Sequence, residues 1–209
     1  MKKNNPDLDF SLESIWGKLD ANDQEADDYP AMIESLRQFL NHVAGSKPEQ
    51  ETLRRLSHTL QSWSEELSSH SVDDSEQLFG RMMHIAGRAQ PMIPQFVASE
   101  GDKSYVRGSV VFGRCFLGAN GAAHGGAVSL LFDEVMGRLQ YAASRPRVRT
   151  AYLHVDYRSI TPIDKSLEVV ARIVREEGRK ILMMAKIMDA ETVCAEAEGL
   201  FVILRPGQP

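Results

Sequence analysis

Residues 124–133, HGGAVSLLFD, set a histidine and two glycines ahead of an apolar helix-forming run, with an aspartate nine positions after the histidine. Glycine has no Cβ, so His124-Gly125-Gly126 lets another group approach the backbone closely. If a helix begins at Gly125 or Gly126, its first N–H groups lack intrahelical partners and carry the positive end of the helix dipole. Such donors stabilise negative charge developing on a carbonyl oxygen. Asp133 lies seven residues past Gly126, close to two helical turns, and so shares a face with the glycines. A carboxylate there suits a nucleophile or a general base toward water. Leu130, Leu131, Phe132, Val135 and Met136 flank it, and a carboxylate partly buried among apolar side chains is costly unless paired or used.

Seven residues at about 1.5 Å each separate the acid from the helix start by roughly 10 Å. A single carbonyl is hard to place against both groups of one helix. Two helices running antiparallel across a two-fold axis bring each aspartate to its partner's N-terminus. The spacing therefore predicts a site shared between subunits and a working unit that is at least a dimer. The bland alternative is a buried helix with a tight glycine entry and a solvated aspartate.

The elements that must position these groups fall into three parts. Residues 1–29 are polar and acidic, with Phe10, Ile15 and Trp16 as isolated apolar anchors, and read as a poorly ordered N-terminus. Residues 30–95 read as a helical hairpin and a connector. Met32, Ile33, Leu36, Phe39, Leu40 and Val43 trace one helical face that Gly45 can end. A second helix is expected from Ser46-Lys47-Pro48-Glu49, whose S-x-x-E spacing suits a capping box, with Leu53, Leu56, Leu60, Trp63 and Leu67 as a narrow stripe. The hairpin is expected to pack on the rest of the chain as a stabilising appendage or a substrate lid. Residues 96–209 form the main domain. β-rich sequence from Ser104, a helix over Gly126–Ala142 and four further strand-like runs predict an α+β domain with the helix on one face of an antiparallel sheet. In TAYLHVDYRSI, Leu153, Val155 and Tyr157 alternate with His154, Asp156 and Arg158. Glu177-Gly178 and Asp189-Ala190-Glu191 are short enough for hairpin turns, so successive strands are expected to be antiparallel.

Composition narrows the function classes. The 209 residues are 43% hydrophobic and 25% charged, as in a soluble globular domain. No apolar run reaches membrane-spanning length, and MKKNNPDLDF lacks a secretory h-region, so a cytoplasmic protein without a membrane span is expected. Cys115 and Cys194 form neither a disulfide framework nor a zinc pattern, and both read as small buried side chains in strands. A net charge of −5 disfavours nucleic acid as a partner.

HGGAVSLLFDEVMG, followed in order by TAYLHVDYRSITPIDKSLEVVARI, EEGRK and AEAEGLFVILR, resembles the PaaI-like branch of hotdog-fold acyl-CoA thioesterases over roughly residues 104–205. The resemblance implies a curved antiparallel sheet around one long helix, a homodimer with shared active sites and often a dimer of dimers, a homotetramer. It implies an acyl-CoA substrate, cleaved to a free acid and coenzyme A as part of lipid metabolism, with no metal or redox cofactor. Asp133 would be base or nucleophile, the Gly125 N–H would polarise the carbonyl, His124 would shape the loop, and Thr150 would sit beside the acid. Relatives often carry Gln or Asn six residues before the histidine. Here that position is Gly118 and the nearest amide is Asn120.

Cations for the coenzyme phosphates are expected from the SRPRVR loop (Arg145, Arg147, Arg149), the EEGRK turn (Arg179, Lys180) and Arg158; each alone is an ordinary surface charge. Asn120 and Gly126 are the expected contacts at the helix start. His154 reads as a polar-face residue. Met183, Met184 and Met188 read as core, though methionines also suit a pocket for an aliphatic chain. No G-x-S-x-G elbow is present. Two other functions stay open: a non-catalytic acyl-CoA or lipid binder, against which the acid at 133 argues, and an enoyl-CoA hydratase, whose His–acid motif is not found. Chain length of the acyl group is not legible.

Overall fold

Apolar residues recur at every second position in the strands and every third or fourth in the long helix, and the two patterns meet in one core. The computed structural model describes residues 25–142 and 147–208. It contains helices α1 (Glu25–Ala44), α2 (Gln50–Ser68) and α3 (Gly125–Ala142), and strands β1 (Phe96–Gly101), β2 (Tyr105–Val111), β3 (Val148–Tyr157), β4 (Ser166–Glu177), β5 (Lys180–Asp189) and β6 (Thr192–Ile203). Most of the N-terminal segment 1–29, with its three apolar anchors, lies outside the described residues, as does Arg145; residues 25–29 already belong to α1.

The six strands form one antiparallel sheet in the order β1-β2-β4-β5-β6-β3. α3 lies on its inner face: Leu131, Phe132, Val135, Met136 and Leu139 are fully buried against Val169, Met183, Ile187 and Phe201. This is the α+β arrangement expected. β4, β5 and β6 are joined by the two short turns anticipated at residues 178–179 and 190–191. β3, however, does not pair with β4, its successor. It crosses to the far edge and pairs with β6. The segment between β3 and β4 instead runs past the start of α3, where the Ala123 N–H donates to the Thr161 carbonyl at 2.7 Å. β1 was not anticipated; FVASEG is short, and its pairing with β2 is broken by a bulge near Ala98.

α1 docks on the domain. Arg37, 7% exposed, donates to the Ile93 carbonyl at 2.9 Å and to the Gln90 carbonyl, and the Asn41 Oδ1 accepts from the Cys115 N–H at 3.0 Å. α2 corrects the expected packing. None of its residues is buried, and Leu53, Leu60, Trp63 and Leu67 are 48–63% exposed. The capping box is also absent: Glu49 is the N-cap without a side-chain bond, while the Ser46 hydroxyl donates back to the Val43 carbonyl.

The connector is more ordered than a linker. Glu134 of α3, 3% exposed, pairs with Arg138 one turn on and with Arg88 of the connector at 2.7 Å. Arg138 also donates to the carbonyls of Met83 (2.8 Å) and Ile85 (2.7 Å). The clamp holds Gly87, Arg88 and Ala89 at φ of 69°, 55° and 51°. Two of these are non-glycine residues in the left-handed region, which costs about 1–2 kcal/mol each.

Candidate active site

Helix α3 starts as its sequence requires. The His124 carbonyl accepts from Ala127 (2.9 Å) and Val128 (3.2 Å), making His124 the N-cap. Its ring Nδ1 accepts the Gly126 N–H at 3.0 Å. That bond leaves Nε2 to carry the proton of the neutral ring. It also occupies the Gly126 donor, so the Gly125 N–H is the one at this end with no partner among the described residues.

Asp133 lies two turns on, half-buried, and accepts a 2.7 Å hydrogen bond from the Thr150 hydroxyl on one carboxylate oxygen. The Tyr157 hydroxyl donates to the Gly125 carbonyl at 2.9 Å and lies 3.0 Å from the Ser129 hydroxyl. β3 thus ties α3 at both positions that matter, the acid through Thr150 and the helix entry through Tyr157. The tie explains why residue 125 is glycine: a Cβ there would stand 3.0 Å from the Tyr157 hydroxyl oxygen and 3.2 Å from its ring.

A strict two-residue alternation counted back from Tyr157 through Val155 and Leu153 would put Ala151 toward the helix and Thr150 away from it. The structure places Thr150 opposite Phe201, then slips register so that Tyr152, not Ala151, faces Leu200. Ala151 is the extra residue of a β-bulge, and it reverses the facing of everything before it. Thr150, Leu153, Val155 and Tyr157 therefore share the inner face. The expected outer set holds: His154 lies 3.4 Å from Asp156, which pairs with Arg158 at 2.8 Å, and Tyr152 donates to Glu198.

Asp133 and Thr150 open into a cavity of about 410 Å³ shared with Arg88, Arg147, Arg149 and Tyr141. Two of the anticipated cations are here, and Arg88 is a third that sequence reasoning missed. The EEGRK turn lies at the same end of the sheet: the Arg147 and Arg179 carbonyls accept from the consecutive N–H groups of Leu204 and Ile203. Lys180 lines a separate depression beside Glu177 and Glu198. At the other end of α3, Asn120 is an exposed turn residue with φ 55°. Gly118 packs so that an added Cβ would lie 3.1 Å from the His124 Cα, so a larger side chain would press on the helix entry.

Cys115 sits in a short 3-10 turn (Arg114–Phe116), not in a strand, and burial raises its thiol pKa above the ordinary value. Cys194 is buried in β6. Met183 is core, while Met184 and Met188 line a groove with Val170 and Lys186. Glu134 and Arg138 were legible as an i,i+4 pair inside an apolar helix; Tyr157 was placed by alternation on a face with Leu153 and Val155, but not at the helix entry.

Residues 120–196 match the family model described as the thioesterase superfamily. Acyl-coenzyme A thioesterase THEM4 of Rattus norvegicus is 32% identical over 94 residues, 44% of this chain and 40% of that protein. Acyl-coenzyme A thioesterase THEM5 of Mus musculus is 27% identical over 144 residues, 66% of this chain and 55% of that protein. The chain thus spans about two-fifths to just over half the length of these curated relatives. A crystal structure of a thioesterase superfamily protein superposes with a TM-score of 0.71 at 26% identity, over 83% of this chain and 90% of the other. Residues 96–209 alone cannot supply that coverage, so the likeness reaches into the helical N-terminal part. Among the described residues no helix is long and apolar enough to cross a membrane.

Proposed function

We propose that this chain hydrolyses acyl-CoA thioesters, a reading supported by the match of residues 120–196 to the thioesterase superfamily model and by the hotdog fold. The observation that carries the reading is the pairing of β3 with α3. Thr150 holds a half-buried Asp133 with its second carboxylate oxygen unpartnered among the described residues, and Tyr157 and His124 fix an open Gly125 N–H on the same helix.

The two groups belong to different copies. Their separation of roughly 10 Å along α3 is spanned when a second subunit lies antiparallel. β3 is the sheet's edge strand, with nothing beyond it among the described residues, which suits pairing with a second β3. With Asp133 as base, it takes a proton from water as the water oxygen bonds to the thioester carbon. The carbonyl electron pair moves onto oxygen, where Gly125 of the partner subunit donates. Collapse expels the coenzyme thiolate, which receives the proton held by Asp133. With Asp133 as nucleophile, the same donor serves and water enters a second step. Arg147, with Arg88 and Arg149, supplies cations for the coenzyme's phosphates, and Arg179 stands at the same end of the sheet.

The test is a panel of short, medium, long and aromatic acyl-CoAs with release of free thiol followed by a chromogenic disulfide. Asp133→Asn is expected to lower kcat at least ~100-fold, the scale of general base catalysis. Wild-type inactivity across the whole panel would overturn the reading. One observation favours a non-catalytic binder: position 118 has no amide, and a Cβ there would stand a tight 3.1 Å from the His124 Cα. Tight binding of acyl-CoA without cleavage would establish that alternative.

A further inference from the structure

A second cavity of about 410 Å³ lies at the opposite end of α3, against its entry. Ala127 and Leu130 form its floor, Phe116 one side, and Leu40, Pro91 and Met92 the outer wall. His124 and Gly126 border it, so it opens directly beside the Gly125 donor. Cys115 also lines it, and none of its lining side chains carries a fixed charge. The Asp133 cavity, by contrast, holds three arginines.

The outer wall comes from outside the region that matches the thioesterase superfamily. Leu40 belongs to α1, and Pro91 and Met92 to the connector. The wall is pinned in place. On α1, Arg37, Leu40 and Asn41 occupy positions i, i+3 and i+4 of one face. Arg37 is buried and bonded to the Gln90 and Ile93 carbonyls, on either side of Pro91 and Met92; Asn41 is bonded to the Cys115 N–H. Leu40 therefore sits between two polar anchors that grip both neighbouring walls. These polar anchors fix α1 over the cavity.

We propose that this cavity receives the acyl group, and that α1 and Met92 set which acyl groups fit. The proposal rests on the thioesterase reading for the position of the carbonyl. The class it names is uncharged, apolar acyl chains. The lining offers a terminal carboxylate no fixed cation, so it must be desolvated there without a lining partner, which disfavours dicarboxylic acyl groups. α1 is thus a wall of the site, while α2, which lines no part of this cavity, is not.

Two measurements test this with the full-length protein. In the first, Leu40→Trp and Met92→Trp are compared with wild type on acyl-CoAs of increasing length. The ratio of kcat/KM for the longest good substrate over a short one is expected to fall at least ~10-fold, the discrimination a few methylene groups provide in an apolar pocket. Met92 is 63% exposed, so its variant folds even if Leu40→Trp does not. In the second, alkylation of Cys115 by iodoacetamide is followed by mass spectrometry with S-alkyl-CoA thioethers, which cannot be hydrolysed. Protection is expected to increase with alkyl length, to be absent with coenzyme A alone, and to weaken in Met92→Trp. An ω-carboxyl on the alkyl group is expected to reduce it. Protection without turnover of any thioester leaves the cavity's role standing and removes the hydrolase reading. Turnover with unchanged chain-length ratios in both variants and no length-dependent protection overturns the proposal alone.

Discussion

Glu134→Gln removes one charge from a cluster that has almost no access to water. The Glu134 and Arg138 side chains are each 2% exposed and Arg88 is 29% exposed. Burial already pulls the Arg138 guanidinium pKa below its ordinary value, with Glu134 the main influence opposing that shift. Without the carboxylate, the buried Arg138 guanidinium loses its Glu134 partner while the partly exposed Arg88 guanidinium stays beside it. Breaking a buried pair from one side costs about 3–5 kcal/mol. Glutamine keeps one oxygen that can accept from a single arginine, which places the loss near ~3 kcal/mol. For a chain of this size each kcal/mol lowers Tm by about 2–4 °C, so a fall of roughly 6–12 °C is expected. The measurement is thermal unfolding by circular dichroism, with Glu51→Gln as control, because Glu51 pairs with Arg54 on an open helix surface at 3.6 Å. The variant should also become sensitive to trypsin at Arg88, since the left-handed turn there loses its counter-charge. If Glu134→Gln melts with the Glu51→Gln control and keeps Arg88 protected, the clamp contributes nothing and the reasoning fails.

Thr150→Val removes a hydroxyl bonded to a carboxylate, an interaction worth about 1.5–3 kcal/mol, so kcat should fall about 10- to 100-fold. An unchanged kcat would show that Asp133 needs no positioning. Tyr157→Phe loses the bond to the Gly125 carbonyl but keeps the ring, and a several-fold loss of kcat with unchanged KM is expected from about 1 kcal/mol. A change confined to KM would contradict that assignment. Because burial raises the Cys115 thiol pKa, its thiolate fraction at a given pH lies below that of a free cysteine. Its alkylation by iodoacetamide should be slow near neutrality and still be rising above pH 8.5, where a free thiol is half ionised. A rate that levels off below that pH would refute it.

The local elements were legible in the residues. α1, α3, the two short turns and the alternation from Leu153 to Arg158 follow from periods of 3.6 and 2, which neighbouring residues report on their own. What stayed hidden depends on partners far along the chain. β3 sits beside β6 rather than β4, and no local pattern in TAYLHVDYRSI encodes that choice. Arg88 meets Glu134 only because three residues adopt positive φ, two of them non-glycine. The stripe of α2 was read correctly as apolar, but apolar periodicity specifies a face and not what covers it. For the candidate site, the placement of Asp133 and Gly125 on one helix was readable from spacing and helix geometry. Thr150 was placed only by likeness to relatives, because plain alternation turns it the wrong way.

That reversal gives Ala151 a significance its side chain does not suggest. It is the extra residue of the bulge, and it is exposed. Replacing it with another strand-compatible residue should therefore matter little, while deleting it should turn Thr150 outward and leave Leu153 and Tyr157 in place. At this point the chain is constrained by how many residues it spends, not by which one.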